Sequence, residues 1–465
     1  GHDTETRRCR KNPDRQYAGS MRVLLISTSE LGHQPLHVAS PAARLAASGH
    51  ETISLDLAVS QFDAEALESV EAVAISVPMH TAMRLAQRTV ERVRASAPRL
   101  PIAVYGLYAD MGRIDGVDRV IVGEYEEQLL SWVEALTAGS GHLTGVSVDI
   151  GRQRFLVPDR SGLPSLGAYA HLSAHGEHRQ VGYVEASHGC RHRCRHCPLP
   201  AVYDGRFRIV EAETVVADID NLVAAGSRHI TFGDPDFFNG AAHAMKVLRA
   251  ANERHPELTF DVTIKVEHLL THRHLLAELA ARRVLFVTSA FESTNDDVLE
   301  LLDKGHTRED MGTVLELCRN VGLDIHPSWL PFTPWTSVGD LAEIFSFIDE
   351  YDLFEVTEPV QLAIRLLIPR GSLILELPGI GDLIGEYDEE SLSYLWQSPD
   401  PAVDDLQARV AVRAERAASS GGPLVETLTD MWLMALEAAG SSSTTPQIPA
   451  GAITGRPRLT EPWFC

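Results

Sequence analysis

At 465 residues and 51.0 kDa, with 44% hydrophobic residues, the chain carries enough apolar side chain for two sizeable cores. Its 41 basic and 64 acidic residues leave a net charge of −23, which excludes a general nucleic-acid or anionic-membrane surface and favours solubility. No apolar run approaches the roughly 18–20 residues needed to span a bilayer, no signal peptide precedes the first strand, and six cysteines with three in one short run make no disulfide framework, so a reducing, cytoplasmic setting is expected.

Residues 1–20 are polar and aperiodic, with Arg7, Arg8, Arg10, Lys11 and Arg15, and read as a disordered leader in which Cys9 is an incidental thiol. From Met21 to residue 140, strand and helix patterns alternate. The strands are Val23-Leu24-Leu25-Ile26-Ser27, Thr52-Ile53-Ser54-Leu55, residues 72–77, Ile102-Ala103-Val104-Tyr105 and Arg119-Val120-Ile121-Val122. This predicts a doubly wound parallel sheet with binding loops at the strand C-ends. Residues 141–180 read as a connector with short strands at 146–148 and 155–157.

A new strand, residues 181–186, then ends in the run Cys190-Arg191-His192-Arg193-Cys194-Arg195-His196-Cys197-Pro198. Three thiolates from one tight loop at CxxxCxxC spacing can hold three corners of a [4Fe–4S] cluster, leaving the fourth iron open for a ligand. A structural zinc site with mixed Cys and His ligands is the bland alternative, although no second CxxC or HxxxH pair completes it. An apolar stripe at Val215, Val216, Ile219, Leu222 and Val223 and a strand at His229-Ile230-Thr231-Phe232 complete a βαβ unit.

The cysteine triad after a first strand resembles the signature of the radical S-adenosylmethionine (SAM) superfamily. That resemblance implies a partial (β/α)6 barrel over residues 181–380, with Cys190, Cys194 and Cys197 ligating the cluster and SAM on the open iron. His196 stands where the superfamily usually has an aromatic residue and is a candidate to stack on the adenine. Gly233-Asp234 occupies the place of the glycine-rich segment that meets the methionyl amine, and a turn is the plain alternative. The third strand, residues 260–267, alternates so that Lys265 and Glu267 face inward, as candidates for the SAM carboxylate and ribose or as a simple pair. Phe291-Glu292-Ser293 and the later Lys304-Gly305-His306-Thr307 resemble the superfamily's G-x-E-S and K-G-x-T segments, which carries SAM contact over to Glu292 and Ser293. The fifth strand leads to residues 326–332 and a sixth is expected over residues 361–372, with Pro369 on the cofactor side and Arg365 a candidate to bind a substrate carboxylate. Cys318 falls in a helical stretch and reads as core.

The N-terminal sheet resembles the cobalamin-binding modules that precede many radical SAM domains, which makes cobalamin a candidate third cofactor. The DxHxxG motif is absent; His33 and His37 lie in the right loop to ligate cobalt, and the alternative is a sheet that packs on the barrel and binds nothing. A helical extension over residues 381–440 precedes a Ser/Thr-rich tether and a tail, 441–465, ending Glu461-Pro462-Trp463-Phe464-Cys465. This ending resembles the CUAEP/CCAEP-tail radical SAM proteins, with Cys465 as the first residue of the motif and a selenocysteine or cysteine expected next. The related RCCLKC-tail family implies transfer of the 3-amino-3-carboxypropyl group of SAM to a thiophilic acceptor such as trivalent arsenic. The expected protein is therefore an α/β transferase acting on a small molecule, with an external one-electron reductant. The alternatives are a cobalamin-dependent methyltransferase and a non-enzymatic iron–sulfur or zinc sensor.

Overall fold

The computed structural model describes residues 19–139, 144–174, 176–441, 448 and 455–461. Two parallel sheets organise it. The first contains β1 (Arg22–Ser27), β2 (Glu51–Asp56), β3 (Ala72–Ser76), β4 (Ile102–Tyr105), β5 (Arg119–Gly123) and β6 (Gly145–Asp149), in the order β2-β1-β3-β4-β5-β6. Val23, Leu24, Leu25 and Ile26 of β1 are all fully buried, the continuous apolar run expected of a central strand covered by helices on both faces. The sixth strand comes from sequence read as connector. Residues 155–157 form no strand.

The second sheet is the barrel wall. It begins with the antiparallel pair β7 (His171–Ala174) and β8 (Glu177–Val184), and a small ribbon, β9 (Ser187–Gly189) with β10 (Phe207–Ile209), frames the cysteine loop. The wall continues through β11 (His229–Phe232), β12 (Thr259–Thr263), β13 (Val284–Glu292) and β14 (Asp324–Trp329), all parallel to β8. The expected third strand is shorter than its alternation suggested: β12 stops at Thr263, and Lys265 precedes the helix Val266–Thr271. The expected sixth strand is reduced to a single bridge between Phe332 and Arg365, because residues Pro359–Ala363 coil into a short 3-10 turn.

After the barrel, the hairpin β15 (Ile384–Asp388) and β16 (Ser393–Trp396) leads to the helices Pro401–Ser420 and Leu424–Ala438. Val403, Leu406 and Trp432 from this pair join the barrel core. The tail then returns as β17 (Arg458–Leu459), pairing antiparallel with β7 at Arg458↔Ser173 and Leu459↔Leu172. Since β7 is itself antiparallel to β8, β17 runs in the same direction as β8, toward the end of the barrel that bears the cysteines.

The sheets are joined by polar contacts between elements remote in sequence. Arg160, in the segment after β6, donates to both carboxylate oxygens of buried Asp218 (2.9 and 2.8 Å) and to Tyr183 O on β8 (2.7 Å). Its side chain is 10% exposed and that of Asp218 3%, so truncating one partner leaves an uncompensated buried charge. Arg160→Met is expected to destabilise the barrel by about 3 kcal/mol, read as a fall of several degrees in the melting temperature. A shift within 1 °C would show that the pair bears no load.

Candidate active site

The cysteine loop has little regular structure, so its shape is imposed by its neighbours. Gly189 turns the chain into it at φ +76°, and an added Cβ would meet the Tyr203 ring at 2.5 Å and Arg206 O at 2.6 Å. Asn239, beyond the C-end of β11, grips the first half. Its Oδ1 accepts from Arg191 N (3.1 Å) and lies 3.5 Å from Cys190 Sγ, and its Nδ2 donates to Gly189 O (3.3 Å). The second half is held from the opposite side: Arg195 N donates to Leu302 O (2.9 Å), its guanidinium to Glu300 O and Leu301 O, and Ser372 Oγ donates to Arg195 O (3.1 Å). Cys197 N closes a turn onto Cys194 O (3.1 Å).

Cys194 is buried, and Cys190 and Cys197 are half-buried. Burial pushes the Cys190 thiol up to about 11, so the thiolate that ligates metal requires a cationic partner. The histidines that could complete a mixed Cys/His zinc set are engaged elsewhere, apart from His196 Nδ1. His188 bonds Glu124 Oε2 (3.0 Å) and Glu185 Oε2 (3.2 Å), His192 bonds His268 Nε2 (3.1 Å) and Lys265 Nζ (3.2 Å), and His196 Nε2 bonds Glu292 Oε1 (3.1 Å). A sulfur-only donor set of three fits three corners of a [4Fe–4S] cluster better than a closed zinc site.

Beside the loop, β13 ends at Glu292, whose φ of +66° is a left-handed conformation rare outside glycine. Its Oε1 accepts from Lys304 Nζ at 3.1 Å as well as contacting His196. Burial alone would raise the Glu292 carboxyl, but the Lys304 ammonium and His196 hold it far below the usual carboxylate range. Ser293 Oγ accepts from Asn295 N (3.1 Å), and Asn295 in turn caps the helix Asp296–Leu301. His196 Nδ1, Thr294 Oγ1 and His306 Nδ1 are buried with no hydrogen-bond partner among the described residues. Orphaned polar atoms around a fixed carboxylate suit a polar ligand such as SAM.

Other expected contacts are redirected. Gly233 is required because a Cβ there would meet Tyr183 Oη at 1.8 Å. Asp234 staples β11 to the approach to the cysteine loop, accepting from Ala186 N (2.8 Å) and Ser187 Oγ (2.6 Å). Lys265 does pair with Glu267 (3.1 Å), but it also contacts His192 inside the cysteine loop, and His192 continues through His268 to Asp236 (2.8 Å). Pro369 is buried, and its carbonyl accepts from the N–H of Ser372, the residue that holds Arg195. Arg365 is a correction: its guanidinium lies 3.5 Å over the Trp396 ring and bonds Asp404 Oδ1 (2.6 Å) and Trp396 O, so it anchors the C-terminal extension rather than receiving a carboxylate. Cys318 is fully buried core, as read, and Cys465 lies outside the described residues.

Sequence reading missed Asn239, His268 and the Glu124–His188 pair, none of which has a local signal. Lys304 was visible within Lys-Gly-x-Thr without its role as counter-ion. At the C-ends of the first sheet, Glu124 bonds both His188 and Tyr203 Oη (3.1 Å) of the barrel, and the His33 ring lies 4.8 Å from that of Tyr183. His37 bonds Tyr125 Oη (2.8 Å) and lies 3.6 Å from Glu185. His37 is thus engaged by Tyr125 and Glu185, whereas His33 Nε2 is buried with no hydrogen-bond partner among the described residues.

Burial pushes the Asp234 carboxyl up to about 7 despite its two donors. With the folded value above the unfolded one, the contribution to stability is full below about pH 4 and is lost as pH rises through about 7. The melting temperature of the wild type is expected to fall more between about pH 5 and 8 than that of Asp234→Asn. Parallel profiles would contradict this assignment.

Residues 184–333 match the radical SAM superfamily. A Methanocaldococcus jannaschii protein named as a methylthiotransferase is 23% identical over 276 residues, covering 54% of this chain and 56% of that protein. The hopanoid C-2 methylase of Rhodopseudomonas palustris is 23% identical over 145 residues, 30% of this chain and 27% of that enzyme. The chain thus spans about half the length of the first relative and about a quarter of the second. Among solved structures, the cobalamin-dependent radical SAM enzyme OxsB superposes with a TM-score of 0.68 at 14% identity, covering 87% of this chain and 68% of its own. The radical SAM methyltransferase TsrM from Kitasatospora setae does so with a TM-score of 0.55 at 18% identity, covering 72% and 71%. At these identities the likeness is one of fold. The chain carries a radical SAM domain over residues 184–333, and its fold resembles those of OxsB and TsrM.

Proposed function

We propose that the chain is a radical SAM transferase that moves a SAM-derived carbon group to a small-molecule acceptor brought to the barrel under its own C-terminal tail. Cys190, Cys194 and Cys197 would hold the cluster, and Glu292, Ser293 and His196, fixed by Lys304, would hold SAM. When bound and reduced by an external one-electron donor, these cofactors supply reductive cleavage of a carbon–sulfur bond. The chain itself keeps the loop in shape, keeps Glu292 ionised and excludes water with the wall completed by β7 and β17.

The observation that carries the tail reading is the direction of β17. Leu459 is level with Leu172, and Leu172 with Arg179, so the strand runs alongside β8 toward the cysteine end. Cys465 is six residue steps beyond Leu459, a reach of at most roughly 20 Å, while β8 beyond Arg179 extends roughly 17 Å. A thiolate delivered there suits a thiophilic acceptor, which favours transfer of the aminocarboxypropyl group to trivalent arsenic. The fold shared with OxsB and TsrM favours a second reading, cobalamin-dependent methylation of a small molecule.

Anaerobically reconstituted protein, given SAM and dithionite with and without arsenite, separates the two. The tail reading predicts 5′-methylthioadenosine that depends on arsenite and falls sharply in Cys465→Ala. 5′-Deoxyadenosine or S-adenosylhomocysteine as the main product, indifferent to Cys465, would overturn it.

A further inference from the structure

The interior of the barrel contains a cavity of about 50 Å³, reached by residues of every parallel strand of the barrel and closed by His33 from the first sheet and by Arg458 and Leu459 from the tail. Its polar wall is incomplete in a consistent way. Gln361 Oε1, His33 Nε2 and His326 Nε2 are buried without a hydrogen-bond partner among the described residues, although His33 is only 4% and Gln361 5% exposed. His229 Nε2 (2.7 Å) and Thr231 Oγ1 (2.6 Å) both bond Asp261 at Oδ1, leaving Oδ2 with no hydrogen bond among the described residues. Of the other ionic groups in the wall, Glu355 accepts the tail N–H groups of Gly455 (2.6 Å) and Arg456 (3.0 Å), and Glu358 lies 3.9 Å from Arg458.

The groups left over include two acceptors, a carboxylate oxygen and an amide oxygen, beside imidazole nitrogens that accept or donate according to tautomer. Burial keeps both imidazoles neutral, His33 lowered to about 4 and His326 to about 3, so neither competes as a cation. His326 is also locked by stacking on Phe286, with ring centroids 4.1 Å apart and planes 5° from parallel. An unpaired buried acceptor is costly unless a donor completes it.

We infer that this cavity binds the ammonium group of an amine-bearing small molecule, with Asp261 and Gln361 as its acceptors. A primary ammonium brings three N–H donors and one positive charge, matching the unfilled acceptors, and the volume admits such a head group with one or two carbons. The inference rests on the reading of the barrel as a small-molecule site and adds the chemistry by which that molecule is anchored. It also gives the tail a second role, since Arg458 and Leu459 form part of the wall around the bound group.

The test is saturation-transfer NMR on the full-length protein with methylammonium as the probe and acetate and methanol as controls, at moderate salt and without SAM or reductant. Methylammonium is expected to receive saturation well above both controls, and Gln361→Leu to weaken its binding by about fivefold, the effect of one lost hydrogen bond. Gln361→Leu leaves charge unchanged, so loose attraction to the acidic surface is unaffected. Asp261→Asn is expected to weaken binding further, and its far-UV circular dichroism reports whether it folds. Equal transfer to all three probes, or binding indifferent to Gln361→Leu, would overturn the inference and leave a water-filled cavity. Because this readout needs no turnover, its failure is separate from failure of the transfer reaction, which the nucleoside products report.

Discussion

Everything in this protein depends on holding three cysteines in a loop that has almost no hydrogen-bonded structure of its own. A loop cannot fix sulfur positions by propensity; its backbone groups must be answered by rigid neighbours. Here the answer comes from two sides. Asn239 takes the first half and Leu302, Glu300, Leu301 and Ser372 take the second, while Asp234 secures the strand end from which the loop departs. The same segment before Lys304 delivers the counter-ion for Glu292, so the loop's clamp and the adjoining polar site share one piece of chain.

Closure is the second constraint. A five-stranded parallel wall leaves an open side, and this chain fills it with pieces distant in sequence: β7 from the connector, β17 from the tail, and His33 from the first sheet. Glu461 packs so closely on the loop after β1 that a Cβ on Gly32 would lie 2.2 Å from its Oε2. Arg458 to Glu461 are thus wedged between the two sheets and are part of the enclosure. The first sheet likewise contacts the approach to the cysteines directly, through Glu124 and His188.

Much of the fold was legible because buried parallel strands are continuous apolar runs: Val23 to Ile26 needed no tertiary information. The cysteine triad was legible because metal-ligand spacing is local. What failed was local reasoning about long-range partners. Alternation at residues 260–267 suggested a strand reaching Glu267, yet the chain leaves the sheet at Thr263 and starts a helix after Lys265. Arg365 looked like an unpaired cation on a barrel strand because its partners, Asp404 and Trp396, arrive from 39 and 31 residues away. β17 is a strand only because an edge of β7 waits for it, and a two-residue strand has no periodicity to read.

The clamped loop is expected to carry an iron–sulfur cluster with one iron open to SAM. Electron paramagnetic resonance of the anaerobically reconstituted, reduced protein, recorded with and without SAM and alongside iron and sulfide analysis, tests it most directly. About four irons and four sulfides per chain are expected, with a reduced-cluster signal that changes when SAM is added. Bound zinc in place of iron, or a cluster signal indifferent to SAM, would contradict it.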